Sequence, residues 1–371
     1  MTDKKIHQPL EYIPPEILCA KDYEDIAGHF IEPSRLAYIA GGSGHDRTLK
    51  LNRQAFSGYA ITPRLLCDVS DASCQTYLFG KLLPHPILLA PVAFQEMVHE
   101  KAELATAKGA YASESTMIAS TLSSRSLEQI SQASIHSKWF QLYIQPKEED
   151  TDALIQRAKE SGYEAIVVTV DAAVQAPSFQ AMRSGFDLPD AIKAANLKHQ
   201  TPVNPPQPKE RQSRVFLSFM QQAVTKVKLL KIIQESGLPV IVKGVLNPQD
   251  ALELKNLGAA AVIVSNHGGR TLDGAPSSLS VLPQIRQTVG KDYPVLFDSG
   301  IRSGDDIFKA IALGADLVLV GRLQMYALSV AGSLGVAHMI RLLKEELELT
   351  MAMAGCTNLT EIKATSLHRL K

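Results

Sequence analysis

The sequence predicts a closed (β/α)8 barrel, an α/β fold, on three observations. Eight short apolar runs recur along the chain, helical patterns separate most of them, and the runs end in polar side chains able to do chemistry. The runs span 86–91 (PILLAP), 116–121 (TMIAST), 138–144 (KWFQLYI), 165–171 (AIVVTVD), 239–245 (PVIVKGV), 261–268 (AVIVSNHG), 294–300 (PVLFDSG) and 316–322 (DLVLVGR). Segments apolar on both faces suit buried parallel strands. No GxGxxG follows the first run, which weighs against an open dinucleotide-binding sheet built from the same units.

The intervening helices carry their own signals. KAELATAKGAYAS, TDALIQRAKESG, NPQDALELKNLG and SGDDIFKAIALG have helical patterning, and the last three end in Gly162, Gly258 and Gly314, suited to a left-handed terminus. Asn247-Pro248 and Ser303 are expected helix starts. Residues 1–85 precede the repeat as an N-terminal extension, with a helical stretch and GGSGHD at 41–46, and are expected to plug or flank the barrel. Residues 172–214 include a polar, proline-rich stretch that reads as a mobile active-site loop over the strand C-terminal face, or as a solvated linker. The whole chain, 1–371, is expected to form one barrel domain with these additions.

Composition narrows the function. The 38 Lys and Arg balance 38 Asp and Glu, so the net charge is zero, which argues against a general nucleic-acid binder. Cys19, Cys67, Cys74 and Cys356 form no CxxC pair, so neither a zinc ribbon nor a dithiol motif is indicated and no metal is expected. The N-terminal residues lack an apolar core, no apolar stretch approaches about 20 residues, and LHRLK is not a peroxisomal address. A soluble cytoplasmic protein without membrane attachment is the expectation.

The run ends are informative because apolar strands need no polar ends in order to fold. Ser120-Thr121 close the second run, Gln141 and Tyr143 lie in the third, and Thr169 and Asp171 end the fourth. Lys243 lies in the fifth, Ser265-Asn266-His267-Gly268-Gly269-Arg270 follow the sixth, Asp298 ends the seventh, and Gly321-Arg322 end the eighth. Spacing of two puts Gln141 with Tyr143, and Thr169 with Asp171, on one strand face. In a barrel these ends converge where active sites of this fold sit.

A phosphorylated ligand is indicated by Gly300-Ile301-Arg302-Ser303-Gly304 and Gly321-Arg322, since loops after the last two strands bind phosphate through backbone N–H groups, a helix N-terminus and a cation. Lys243, among Val240, Ile241, Val242 and Val245, needs an anion or an electron-rich ligand once buried. His267 beside a carboxylate such as Asp171 makes a general base, and Arg270 suits a substrate carboxylate.

With these residues in place, the sequence resembles the FMN-dependent α-hydroxy-acid oxidases and dehydrogenases, a family that includes glycolate oxidase, lactate oxidase and mandelate dehydrogenase. SNHGGRTLD (265–273) is the most specific match, followed by LFDSGIRSGDDIFKAIALGAD and VLVGR. NRQAF (52–56), APVAFQEMVH (90–99), WFQLYI (139–144), TVD (169–171), VKGV (242–245) and ELTMAMAGC (348–356) extend the likeness over nearly the whole chain. The resemblance implies FMN at the barrel mouth and oxidation of an L-2-hydroxy acid to the 2-oxo acid. It implies ring contacts from Val92, Ala93, Ser120, Gln141 and Thr169, with Ser265 also in the cofactor site. Lys243 would sit by the N1/O2 edge, and Asp298, Gly300, Arg302, Gly321 and Arg322 would hold the ribityl phosphate. His267 would act as base, aided by Asp171, with hydrogen passed to flavin N5. Tyr143 and Tyr38 would bond the substrate oxygens, and Arg270 the carboxylate. Hydride transfer and proton abstraction both fit this arrangement. Oxygen or another electron acceptor would complete turnover, and a homotetramer is implied.

Departures bear on the substrate. Ser178 stands where the family carries a second carboxylate-binding arginine, and neither Arg183 nor Arg125 aligns with it. Leu122 replaces a tryptophan of glycolate oxidase-like members, Thr271 a common glutamine, and Val92 a frequent threonine. Losing one charge-assisted contact costs about 1.5–3 kcal/mol. The alternatives are the same chemistry on a substrate without a small free carboxylate, an FMN-dependent isomerase, or a flavin-binding protein without catalysis.

Overall fold

The computed structural model describes residues 6–134, 137–172, 176–198, 209, 211–217 and 223–370. Three helices open the chain: Asp22–Ile26 (α1), Pro33–Ala40 (α2) and Arg47–Ser57 (α3). The Glu32 carboxylate starts α2 by accepting the Ser34 and Arg35 N–H groups, with Pro33 in the first turn. A short strand, Tyr59–Ile61 (β1), is followed by a hairpin of Thr76–Leu78 (β2) and Lys81–Leu83 (β3).

Eight parallel strands then close into a barrel: Ile87–Leu89 (β4), Met117–Ser120 (β5), Lys138–Leu142 (β6), Ile166–Thr169 (β7), Val240–Val245 (β8), Ala261–Val264 (β9), Val295–Phe297 (β10) and Leu317–Val320 (β11). Their order around the barrel is their order in the chain, with β11 pairing back onto β4. All eight strands are shorter than their apolar runs: β8 loses only Pro239, while in most of the others the polar ends leave the ladder and turn into the loops above. The barrel interior is filled by alternate side chains, among them Leu88, Ile118, Trp139, Val167, Ile241, Ile263, Leu296 and Leu319. Leu78 and Leu83 of the β2–β3 hairpin pack into the same cluster, so the hairpin closes against the barrel interior.

The helices between strands are Ala102–Ala112 (α4), Leu127–Ala133 (α5), Glu148–Glu160 (α6), Phe179–Arg183 (α7), Arg214–Leu217 (α8), Lys226–Glu235 (α9), Pro248–Asn256 (α10), Ser278–Val289 (α11) and Gly304–Ala312 (α12). Asn247 and Ser303 cap α10 and α12 by accepting the Gln249 and Asp306 N–H groups. Gly162, Gly258 and Gly314 take the positive φ angles expected after α6, α10 and α12.

After β11 comes Arg322–Ala354 (α13), interrupted by non-helical backbone at Ala331 and Gly332. By length and composition this helix could cross a membrane, but 67% of its apolar window is buried in the protein, where it packs on α4 and α12. Leu359–Ala364 (α14) and Leu367–Arg369 (β12) end the chain, and β12 pairs antiparallel with β1. Much of the expected mobile loop at 172–214, namely 173–175, 199–208 and 210, lies outside the described residues.

Candidate active site

The C-terminal ends of the barrel strands surround a cavity of about 370 Å³. Tyr38, Val92, Ala93, Ser120, Gln141, Tyr143, Thr169, Lys243, His267, Arg270, Asp298, Gly300, Arg302, Gly321 and Arg322 all line it. Register explains part of this convergence: Ser120 pairs with Gln141 across β5 and β6, and Thr169 with Lys243 across β7 and β8. Two predicted residues stand just behind the wall. Asp171 reaches the site through His267, and Ser265, fully buried, reaches it through Lys243 and His267.

His267 sits in a left-handed turn, φ 59°, continued by Gly268 at 65° and Gly269 at 76°. A Cβ on Gly268 would lie 2.6 Å from Arg322 Nη1, so the turn and the guanidinium can be this close only with glycine there. His267 Nδ1 is 3.0 Å from Asp171 Oδ1. Gly244, at φ +108°, makes room for this carboxylate; a Cβ there would come within 2.5 Å of Asp171 Cβ. Burial pushes the Asp171 carboxyl up, but the neighbouring His267 and Lys243 more than offset it and hold it below the usual range. An ionised Asp171 orients the imidazole and stabilises its protonated form.

Lys243 is almost fully enclosed, with its ammonium 3.1 Å from Asp298 Oδ2 and donating to Ser265 Oγ at 2.9 Å. Burial lowers its basicity, and Asp298 with Asp171 raises it further than burial lowers it. Asp298, grouped by the resemblance with the phosphate residues, is therefore placed on the lysine. A carboxylate would repel a phosphate, whereas it complements an ammonium or a hydroxyl.

Beyond β10 and β11 the cavity wall carries two arginines in different settings. Arg302 is paired with Glu24, Nε to Oε2 at 2.6 Å and Nη2 to Oε1 at 3.0 Å. Arg322 is half-buried, has no carboxylate ion-pair partner among the described residues, and donates to the carbonyls of Ile39, Gly268 and Gly41, each at 2.9 Å. Burial, reinforced by Arg270 nearby, pulls its pKa down to about 10. A half-buried cavity-wall cation held only by carbonyls keeps its charge available to an anion. Two further atoms ask for a ligand: Gln141 Nε2 and Thr169 Oγ1 are buried in the cavity wall without any hydrogen-bond partner.

At the other side of His267, Arg270 donates to the Tyr38 and Gly41 carbonyls and stacks 4.6 Å over the Tyr38 ring. Phe186 stacks on the same ring at 4.3 Å. Tyr143 is held protonated by burial and by Asp171, and Tyr38 and Arg270 are also within its electrostatic reach. Ser178 caps α7 by accepting the Ala181 N–H at 3.3 Å. Neither candidate replacement reaches the site: Arg125 is forked onto Glu96, and Arg183 is exposed over Phe179. Sequence reasoning missed Glu24, Phe186 and Ser299. Glu24 and Phe186 are remote in sequence from the residues they touch, and no local pattern marks them.

The family model described as FMN-dependent dehydrogenase matches residues 27–369. The chain is 51% identical to an L-lactate oxidase of Alicycliphilus denitrificans over 354 residues, covering 95% of this chain and 97% of that one. It is 38% identical to a 4-hydroxymandelate oxidase of Amycolatopsis orientalis (90% and 94% covered) and 36% identical to glycolate oxidase 3 of Oryza sativa (92% and 93% covered). Among solved structures, mandelate oxidase with benzoyl-formic acid superposes with a TM-score of 0.87 at 36% identity, covering 95% of this chain and 98% of that one.

Proposed function

Because the chain belongs to the FMN-dependent α-hydroxy-acid oxidase and dehydrogenase family, we propose that it oxidises an L-2-hydroxy acid to the 2-oxo acid, with His267 as the base. The observation that carries this reading is the His267–Asp171 pair on the wall of a cavity whose far end presents a carboxylate-free Arg322. Lactate, glycolate and 4-hydroxymandelate oxidases among the relatives point to a small hydroxy acid as substrate and to oxygen, or another electron acceptor, as oxidant.

The residues present fit FMN. Arg322, with Gly300, Gly321 and Arg302, would hold its phosphate, and Gln141 and Thr169 would give their unpartnered polar atoms to its ring. Lys243 is the cation available to an electron-rich edge of that ring, while Ser120, Val92 and Ala93 line the wall. When bound, FMN accepts the hydrogen and electrons that leave the substrate Cα. Arg270 receives the carboxylate, Tyr38 and Tyr143 bond its oxygens or the hydroxyl, and His267 removes a proton at its ring nitrogen. Asp171 stabilises the imidazolium that results.

Ser178 favours a refinement. Among the cavity-lining cations, Lys243 is paired with Asp298 and Arg302 with Glu24, and with Arg322 assigned to the phosphate, Arg270 is left as the guanidinium for the substrate carboxylate. A substrate whose recognition rests partly on an apolar group against Leu122 and Ala172 suits that arrangement. A cytoplasmic homotetramer belongs to the same reading, on family resemblance, and light scattering after size-exclusion chromatography tests the assembly. The function is tested by mixing the FMN-loaded protein anaerobically with lactate, glycolate and mandelate. Bleaching of the flavin followed by recovery in air is expected, and no bleaching by any 2-hydroxy acid would refute it.

A further inference from the structure

Three cavity-lining residues other than glycine have positive φ: Phe94 at 51°, His267 at 59° and Ser299 at 89°. Ser299 lies furthest from the left-handed well that side chains tolerate, at a position glycine would occupy without strain. Its hydroxyl donates to Asp298 Oδ1 at 2.7 Å and accepts the Gly268 N–H at 3.0 Å. One residue earlier, the His267 N–H is accepted by Ser265 Oγ at 3.0 Å, and the same oxygen accepts from Lys243 Nζ at 2.9 Å. Lys243 Nζ returns to Asp298 Oδ2 at 3.1 Å. The circuit therefore closes: lysine, Ser265, the two consecutive N–H groups of the histidine turn, Ser299, the aspartate, and the lysine again.

We propose that Ser299 is a positioning residue for the oxidation, tying the backbone turn that carries His267 to the Lys243–Asp298 pair. This rests on the reading of His267 as base. Strain persists in folded proteins where the surroundings over-determine it, and such residues cluster at working sites. Here the two hydrogen bonds of the hydroxyl are what a glycine would lack. Without them, Gly268 loses a fixed acceptor, and Asp298, with one donor fewer, draws more strongly on the Lys243 ammonium. The first effect loosens the base; the second leaves less positive charge for the reduced cofactor.

The test uses the FMN-loaded full chain with Ser299→Gly, which relieves the strain and removes the hydroxyl, and Ser299→Ala, which removes the hydroxyl alone. Both variants should keep KM within about twofold and lose about five- to tenfold in the rate of anaerobic flavin reduction, the effect of losing the one of these two hydrogen bonds that holds the Gly268 N–H. The glycine variant should melt within a few degrees of the parent, so that its loss is not one of folding. In both, the midpoint potential of bound FMN should become more negative, a readout that needs no substrate. Parental rates and potentials in both variants would overturn the proposal, as would a loss confined to Ser299→Ala and matched by a lower melting temperature. If the parent is not reduced by any hydroxy acid, the oxidation reading fails, and the potential shift alone decides the role of Ser299.

Discussion

Lys243 and Asp298 meet 3.1 Å apart with both side chains almost wholly withdrawn from solvent. An ion pair at this depth is held together by its partners rather than by water, so removing one leaves the other uncompensated. Lys243→Met should destabilise the protein by about 3–5 kcal/mol, and adding Asp298→Asn should recover part of that. Chemical denaturation of the single and double variants measures the difference.

Replacing His267 by alanine removes the proposed base and leaves Arg322 itself in place. Flavin reduction should slow roughly a hundred- to ten-thousandfold while FMN stays bound, as stopped-flow absorbance would show. Asp171→Asn should reduce the rate in the same direction, because it keeps the hydrogen-bond geometry but loses the charge that stabilises the imidazolium.

Arg322 has no carboxylate to lose, so its replacement frees three carbonyls but leaves no unpaired charge behind, and its effect on a bound phosphate can be read separately. Arg322→Met should weaken FMN binding about ten- to a hundredfold or more and riboflavin binding little. Fluorescence titration of the apoprotein with each flavin distinguishes a phosphate contact from a ring contact.

Glu24 gives a pH signature. Burial raises its carboxyl, but the Arg302 guanidinium lowers it further, leaving it below the ordinary carboxylate range. A lowered folded-state value stabilises above the unfolded value of about 4.3 and loses that contribution as pH falls through the folded one. Melting temperatures should therefore fall on acidification below about pH 4.3, and Glu24→Gln should flatten that slope. Since Glu24→Gln also leaves Arg302 without its carboxylate, its stability deficit should shrink when FMN is added.

Ser178→Arg tests the carboxylate reading directly. A guanidinium added near Gly41, whose carbonyl already accepts from Arg270, should raise the preference for a hydroxy acid over its amide about ten- to a hundredfold. An unchanged ratio in anaerobic reduction assays would show that position 178 does not face the substrate.

The barrel was legible because its signal is local. Each strand is a short run with apolar residues on both faces, several helices (α5, α9, α10, α11 and α12 among them) carry a capping side chain just before their first turn, and Gly162, Gly258 and Gly314 announce their own conformation. Gln141, Thr169, Lys243, His267 and Arg322 were also legible, since a polar side chain at the end of a buried strand has little reason to be there except a ligand. The pairings among them were not. Asp171 meets His267 across 96 residues, and Glu24 meets Arg302 across 278, separations over which no periodicity or spacing carries information.

What the sequence settled by itself was the list of chemical groups and the face of the barrel on which they stand. What the tertiary structure alone decided was which charge neutralises which. It placed Asp298 on Lys243, gave Arg302 to Glu24, left Arg322 bonded to carbonyls alone, and turned Ser178 into a helix cap. The reason is physical: strand identity follows from the burial of neighbouring residues, whereas the partner of a buried charge depends on distances of about 3 Å that exist only once the barrel has closed.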